Sequence, residues 1–98
     1  YANKYLVMYV MENGLDKNRL GISVSKKVGK SVVRSRVTRL IRESYRLSEN
    51  TVAKGYDIVV IARVSANAAQ YADIYRSLNH LLRKHGLLTD KAHISEKS

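Results

Sequence analysis

Eight of the chain's eighteen Lys and Arg residues fall on the 21 positions from Lys26 to Arg46. They lie in the run Lys-Lys-Val-Gly-Lys-Ser-Val-Val-Arg-Ser-Arg-Val-Thr-Arg-Leu-Ile-Arg and its continuation, where Glu43 is the only acid. The chemistry open to such a set is phosphate binding. A planar Arg fork holds a phosphate through two parallel hydrogen bonds, and Lys adds a mobile point charge. Charge this dense repels itself unless a polyanion lies against it. The candidate binding set is therefore Lys26, Lys27, Lys30, Arg34, Arg36, Arg39, Arg42 and Arg46. The competing account, an ordinary solvated helix face, normally comes with mixed-sign pairing, and Glu43 alone is available for that.

Other reactive chemistry is sparse. His80, His85 and His93 are the only histidines, there is no cysteine, and no paired carboxylates accompany them, so no catalytic residue and no metal ligand is assigned. Gly29-Lys30-Ser31 imitates the end of a nucleotide-binding P-loop, but that motif needs a glycine five positions before Gly29, where Val24 stands. All seven aromatic residues are tyrosine. Tyr5 and Tyr9, with Tyr1, fall on one side of a strand, where rings can stack on unpaired bases or pack beneath a helix.

The elements that must position these residues follow from periodicity. Lys4 to Met11 reads as a strand with Tyr1, Tyr5, Val7, Tyr9 and Met11 on one side and Leu6, Met8 and Val10 on the other, covered on both faces. Asn13-Gly14 marks a turn, and Leu20, Ile22 and Val24 alternate beyond it, so the two segments are expected to pair as a hairpin. Val33, Val37, Leu40, Ile41 and Leu47, with Ser44, recur at helical spacing and predict a helix over Ser31 to Ser48. Around it, Arg39, Arg42, Arg46 and Ser35 face away from the apolar stripe, Arg34 and Arg36 lie on its flanks, and the three lysines lead into its N-terminus. Backbone N–H groups and a partial positive charge there favour an anion near Gly29 to Val32.

Asp57 to Ala62 is a β-branched run suited to a central strand, and Ala66 to Ala69 lead into a second helix. Ile74, Leu78, Leu81, Leu82 and His85 form its stripe, and Gly86 ends it. Residues after about 88 read as a frayed tail. The 98 residues make one domain, 1–98, of the α+β class in the order strand, strand, helix, strand, helix. No apolar run is long enough for a membrane span and no export signal is visible. A formal charge of +10 favours nucleic acid, an acidic protein or an anionic surface as partner. A membrane-bound helix needs a free apolar face, and the stripe here is needed by the core.

From Lys26 to Glu43 the sequence resembles the bacterial ribonuclease P protein component, whose characteristic run is Lys-Lys-x-Gly-Asn/Lys-Ala-Val-x-Arg-Asn-Arg-x-Lys-Arg-x-Ile-Arg. The likeness continues at Tyr1-Ala2-Asn3-Lys4, at Leu20 to Ser25 and at Asp57 to Arg63, and so spans nearly the whole chain. It implies a small two-layer sandwich with a left-handed β-α-β crossover, an exception to the usual hand, and an N-terminal helix missing before Tyr1. The implied function is that of a cytoplasmic RNA-binding subunit, which joins a catalytic RNA and helps it remove the 5′ leader from precursor tRNA.

Partners implied by the resemblance are the ribonuclease P catalytic RNA and precursor tRNA, with no membrane and no obligate protein partner. The protein itself holds no cofactor, and magnesium is used by the RNA–protein holoenzyme. Carried over by position, Lys26, Lys27, Lys30, Arg34, Arg36, Arg39 and Arg42 contact RNA, and Tyr9, with Tyr5, belongs to a leader cleft that Ser35 and Thr38 adjoin. Two positions depart from the family run: Ser35 replaces Asn and loses an amide, and Thr38 replaces Lys or Arg and loses a phosphate contact. The alternative is a structural or ribosomal RNA-binding domain without a processing role.

Overall fold

The computed structural model describes residues 1–89. Two strands come first, β1 (Leu6–Glu12) and β2 (Arg19–Ser23), followed by the long helix α1 (Ser31–Ser48). A short turn of 3-10 helix leads to β3 (Tyr56–Ala62), and a second such turn, Val64–Ala68, leads to α2 (Tyr71–Lys84). The helix predicted from periodicity thus has the observed bounds of α1.

The sheet order is β1-β3-β2, so the central strand is the last one made. β1 pairs antiparallel with β3, from Leu6 opposite Ala62 to Glu12 opposite Tyr56. β2 pairs with it in parallel, from Arg19 opposite Asp57 to Ser23 opposite Ile61. The expected hairpin between the first two strands is therefore wrong. The Asn13-Gly14 turn does form, with Gly14 at φ 72° and the Leu15 amide donating to Asn13 Oδ1 at 2.8 Å. Asn13 Nδ2 donates to the Lys17 carbonyl within the turn (3.1 Å), but its long-range bonds go to β3 and the residue before it: the Asn13 amide donates to the Gly55 carbonyl (2.9 Å) and Asn13 Nδ2 to Asp57 Oδ1 (3.0 Å). The Arg19 fork closes on the same carboxylate through two 2.8 Å bonds, which locks the β2–β3 register at its first pair.

One face of the sheet carries the core. Leu6, Met8, Ile58, Val60 and Ala62 are buried against Val37, Ile41, Ser44 and Tyr45 of α1 and Ile74, Leu78, Leu81 and Leu82 of α2. Residues of the other parity, Tyr9, Met11 and Val59, are exposed, so β1 is covered on one face among the described residues rather than on both. Tyr1 also leaves its expected side. The chain reverses around Asn3, whose Oδ1 accepts from the amides of Tyr5 and Leu6, and Tyr1 then exchanges backbone bonds with Met8. Its ring meets His85 edge-on at 4.7 Å.

On α1, Leu47 is exposed, and Tyr45 and Ser48 take the buried places at the C-terminal end. Ser44 can be fully buried because its hydroxyl donates to the Leu40 carbonyl (2.7 Å), satisfying the polar group within the helix. α2 closes in a Schellman motif, with Gly86 at φ 73°, its amide donating to the Arg83 carbonyl and that of Leu87 to the Leu82 carbonyl. Leu88 then bridges to Val52 and the Thr89 amide donates to the Thr51 carbonyl (2.6 Å), and the tail expected after about residue 88 falls almost entirely outside the described residues. Residues 90–98, including His93, lie outside the described residues.

Candidate nucleic-acid interface

α1 is aimed by its entry turn. The Val28 amide donates to the Ser25 carbonyl and the Gly29 amide to that of Lys26, which leaves Val28 buried and Lys26 and Lys27 exposed. Gly29 is required by packing here: a Cβ at this position would lie 2.9 Å from both Cβ and Cγ1 of Val33. Lys30 then takes the N-cap position, with no side-chain cap and no acid in the first turn. At the start of α2, by contrast, Asp73 Oδ2 accepts from the Gln70 amide (3.0 Å). The first N–H groups of α1 are thus left among lysines with no side chain of their own to meet.

Between α1 and the edge of the sheet runs an open groove of about 470 Å³, lined by Ile22, Val24, Ser31, Arg34, Ser35, Thr38, Arg39 and Arg42. Its strand wall is apolar, its helix wall carries three arginines and two hydroxylic side chains beyond Ser31, and none of the lining residues is acidic. Thr38 Oγ1 donates back to the Arg34 carbonyl at 2.8 Å, so this hydroxyl is held against the helix. Arg34 is half-buried, and its Nε is buried without a hydrogen-bond partner among the described residues. A buried N–H left without an acceptor costs roughly 1–3 kcal/mol, and more on a charged group. Because this Nε is closed to solvent, an oxygen entering the groove reaches it only if the Arg34 side chain shifts.

The candidate residues divide. Arg34, Arg39 and Arg42 come together with Ser35 and Thr38 in the groove, and Lys30 stands at the N-terminus of the same helix. Arg36 points the other way, donating from Nη2 to the Ala69 carbonyl at 2.6 Å and tying α1 to the approach to α2. Arg46 lines a separate pocket with Glu43, Leu47 and Tyr71. Tyr9 is on β1 and Tyr5 directly precedes it, across β3 from the groove's β2 wall. Tyr5 is half-buried with Lys4 Nζ 5.3 Å from its ring centre. Tyr9 is 58% exposed on the open sheet face, in a row with Val59 and Gly21. Ile22 and Val24 were not among the candidates, although their alternation directly before the lysine pair marks an apolar wall beside the basic helix.

The family model described as Ribonuclease P matches residues 1–86. This chain belongs to the ribonuclease P protein family. A ribonuclease P protein component from Lachnoclostridium phytofermentans is 55% identical over 89 residues, covering 91% of this chain and 77% of the relative. One from Clostridium acetobutylicum is 56% identical over 90 residues, covering 90% and 76%. Among solved structures, the RNase P protein of Staphylococcus aureus superposes with a TM-score of 0.82 at 38% identity, over 91% of this chain and 82% of that one. The RNase P protein of Thermotoga maritima gives 0.79 at 34%, over 86% and 80%. The three-stranded sheet with two helices is therefore a ribonuclease P protein fold, and the groove is formed by elements inside the matched region.

Proposed function

We propose that this chain is the protein subunit of a ribonuclease P ribonucleoprotein, which binds the catalytic RNA through the basic side of α1 and assists magnesium-dependent removal of the 5′ leader from precursor tRNA in the cytoplasm. The observation that carries this reading is the family match over residues 1–86. The groove supplies a physical means. From Arg34 to Arg42 the helix rises about 12 Å, and the three guanidinium groups on that length meet backbone phosphates in the groove. Lys26, Lys27 and Lys30 extend the positive field beyond the N-terminal end of α1. Neutralising closely spaced phosphates lowers the repulsion that opposes bringing substrate and catalytic RNA together.

Magnesium is left to the RNA in this reading. The groove lining is cationic, and no three His, Cys, Asp or Glu side chains gather as a metal site among the described residues. The leader is assigned to the open sheet face at Tyr9, where an exposed ring beside Val59 and the side-chain-free Gly21 leaves room for a stacked base. Cleavage of precursor tRNA by the catalytic RNA at low magnesium, with and without the protein, tests the proposal. Stimulation is expected, together with its loss in Arg34→Glu/Arg39→Glu. A folded parent protein that binds the RNA but leaves cleavage unchanged would reduce the function to structural RNA binding.

A further inference from the structure

Glu43, the single acid on the basic helix, has no place in the phosphate groove. Nor is it spent on charge pairing: the ion pairs among the described residues are Arg19–Asp57 and Arg76–Asp73. Its side chain instead lines a pocket of about 260 Å³ with Arg46 and Leu47 of α1 and Tyr71 of α2. At ~100° per residue this pocket lies roughly 100° around α1 from the groove, toward the C-terminal end. Two of its walls are apolar surfaces left outside the core. Leu47 is 66% exposed, and the ring of Tyr71 stacks on Tyr75 with centroids 6.1 Å apart and planes inclined by 23°. The other two are an acceptor-only carboxylate and a donor-only guanidinium.

We propose that this pocket takes an unpaired guanine of an RNA strand. A flat apolar ring fits against Leu47 and the braced Tyr71, and stacking of this kind is how splayed-out bases are held. The volume is below the roughly 300–1,000 Å³ of drug-sized ligand sites, which suits one base and not a paired end. Glu43 selects among the bases. The Watson–Crick edge of guanine presents two adjacent donors, N1–H and N2–H, which match the two oxygens of one carboxylate. Adenine and cytosine each put a donor beside an acceptor, and uracil flanks its one donor with acceptors. Arg46 has donors for guanine O6 or for the adjoining phosphate. The proposal rests on the RNA-binding function above and adds a base-specific contact to it.

The test titrates the whole protein with guanosine 5′-monophosphate and, separately, adenosine 5′-monophosphate, following the Leu47 methyl and Tyr71 ring signals by NMR. Guanosine monophosphate is expected to shift both signals and to bind at least about fivefold more tightly, the low end of what a two-bond base contact discriminates. Glu43→Gln should abolish the preference, because an amide can accept only one of the two guanine donors. Tyr71→Leu should weaken both nucleotides alike. Equal binding of the two nucleotides by the parent, or a preference that survives Glu43→Gln, overturns the proposal. So does a Leu47 shift that follows protein concentration, which would make the pocket a contact between copies. The titration needs neither catalytic RNA nor precursor tRNA. A protein that fails to stimulate cleavage yet keeps the guanine preference would refute the proposed function and leave the pocket standing, and the reverse result would refute the pocket alone.

Discussion

Replacing Arg34, Arg39 and Arg42 together by Gln removes every guanidinium that lines the groove while sparing Arg36, which is bonded to Ala69, and Arg46, which is elsewhere. If each of the three meets one phosphate, each contributes about 0.7 to 0.9 to the slope of log K against log salt. The variant's slope should then be shallower by about 2 to 2.7, which over a rise from about 50 to 200 mM salt amounts to a roughly 20- to 40-fold difference in affinity lost. The measurement is binding to the catalytic RNA at four or five salt concentrations. A control variant with Lys17, Lys54 and Arg83, all exposed and outside the groove, changed to Gln carries the same charge, lowered by three from +10 to +7. The control's slope should change little. Equal changes in the two variants would mean that net charge, and not the groove, sets the affinity, and would refute the assignment.

Arg36→Ala should lower stability by about 1.5 kcal/mol, the low end for a charged hydrogen bond because the residue is half-exposed. In a thermal melt this appears as a loss of several degrees, and an unchanged melting temperature would show that the bond to Ala69 contributes nothing. Gly29→Ala places a methyl 2.9 Å from Val33, a stiff β-branched residue, and should destabilise by about 1–3 kcal/mol in urea titration. Asp57 has its carboxyl held below the ordinary carboxylate range, first by the hydrogen bonds from Arg19 and then by that from Asn13. Its contribution is therefore complete above the ordinary carboxylate pKa and is lost as pH falls through the lowered folded-state value. Urea titrations between neutral and acid pH should show a component of acid sensitivity that Asp57→Asn lacks.

What was legible in the sequence is what local spacing encodes. The bounds of α1 follow from Val33, Val37 and Ile41 recurring at one period, with Ser48 followed by a turn, and the composition of Asp57 to Ala62 marked the strand that proves central. Strand pairing is not local. The Asn13-Gly14 signal fixed a turn but could not say that its free groups would be taken by Gly55 and Asp57, more than forty residues on, which draws β3 between the first two strands. The faces of α1 were read correctly in their middle and misread at the end, because burial at Leu47 and Tyr45 depends on where α2 crosses, and Tyr45 rather than Leu47 meets the core. The same limit applies to the groove. Periodicity put Arg34 and Arg36 on opposite flanks, but only the neighbouring elements decide that one flank opens on Ile22 and Val24 while the other meets Ala69.

The placement of β3 also sets an order of events during synthesis. β1, β2 and α1 all leave the ribosome before the strand to which both others bond, so no strand of the sheet can pair with another strand until residues 56–62 have been made. A nascent chain that ends before Tyr56 already carries every cation from Lys26 to Arg46, but it has no platform on which α1 can rest and no wall opposite Arg34. Such a chain attracts nucleic acid by charge alone, in a manner that salt abolishes. Shape is added late, by seven residues that include no lysine or arginine.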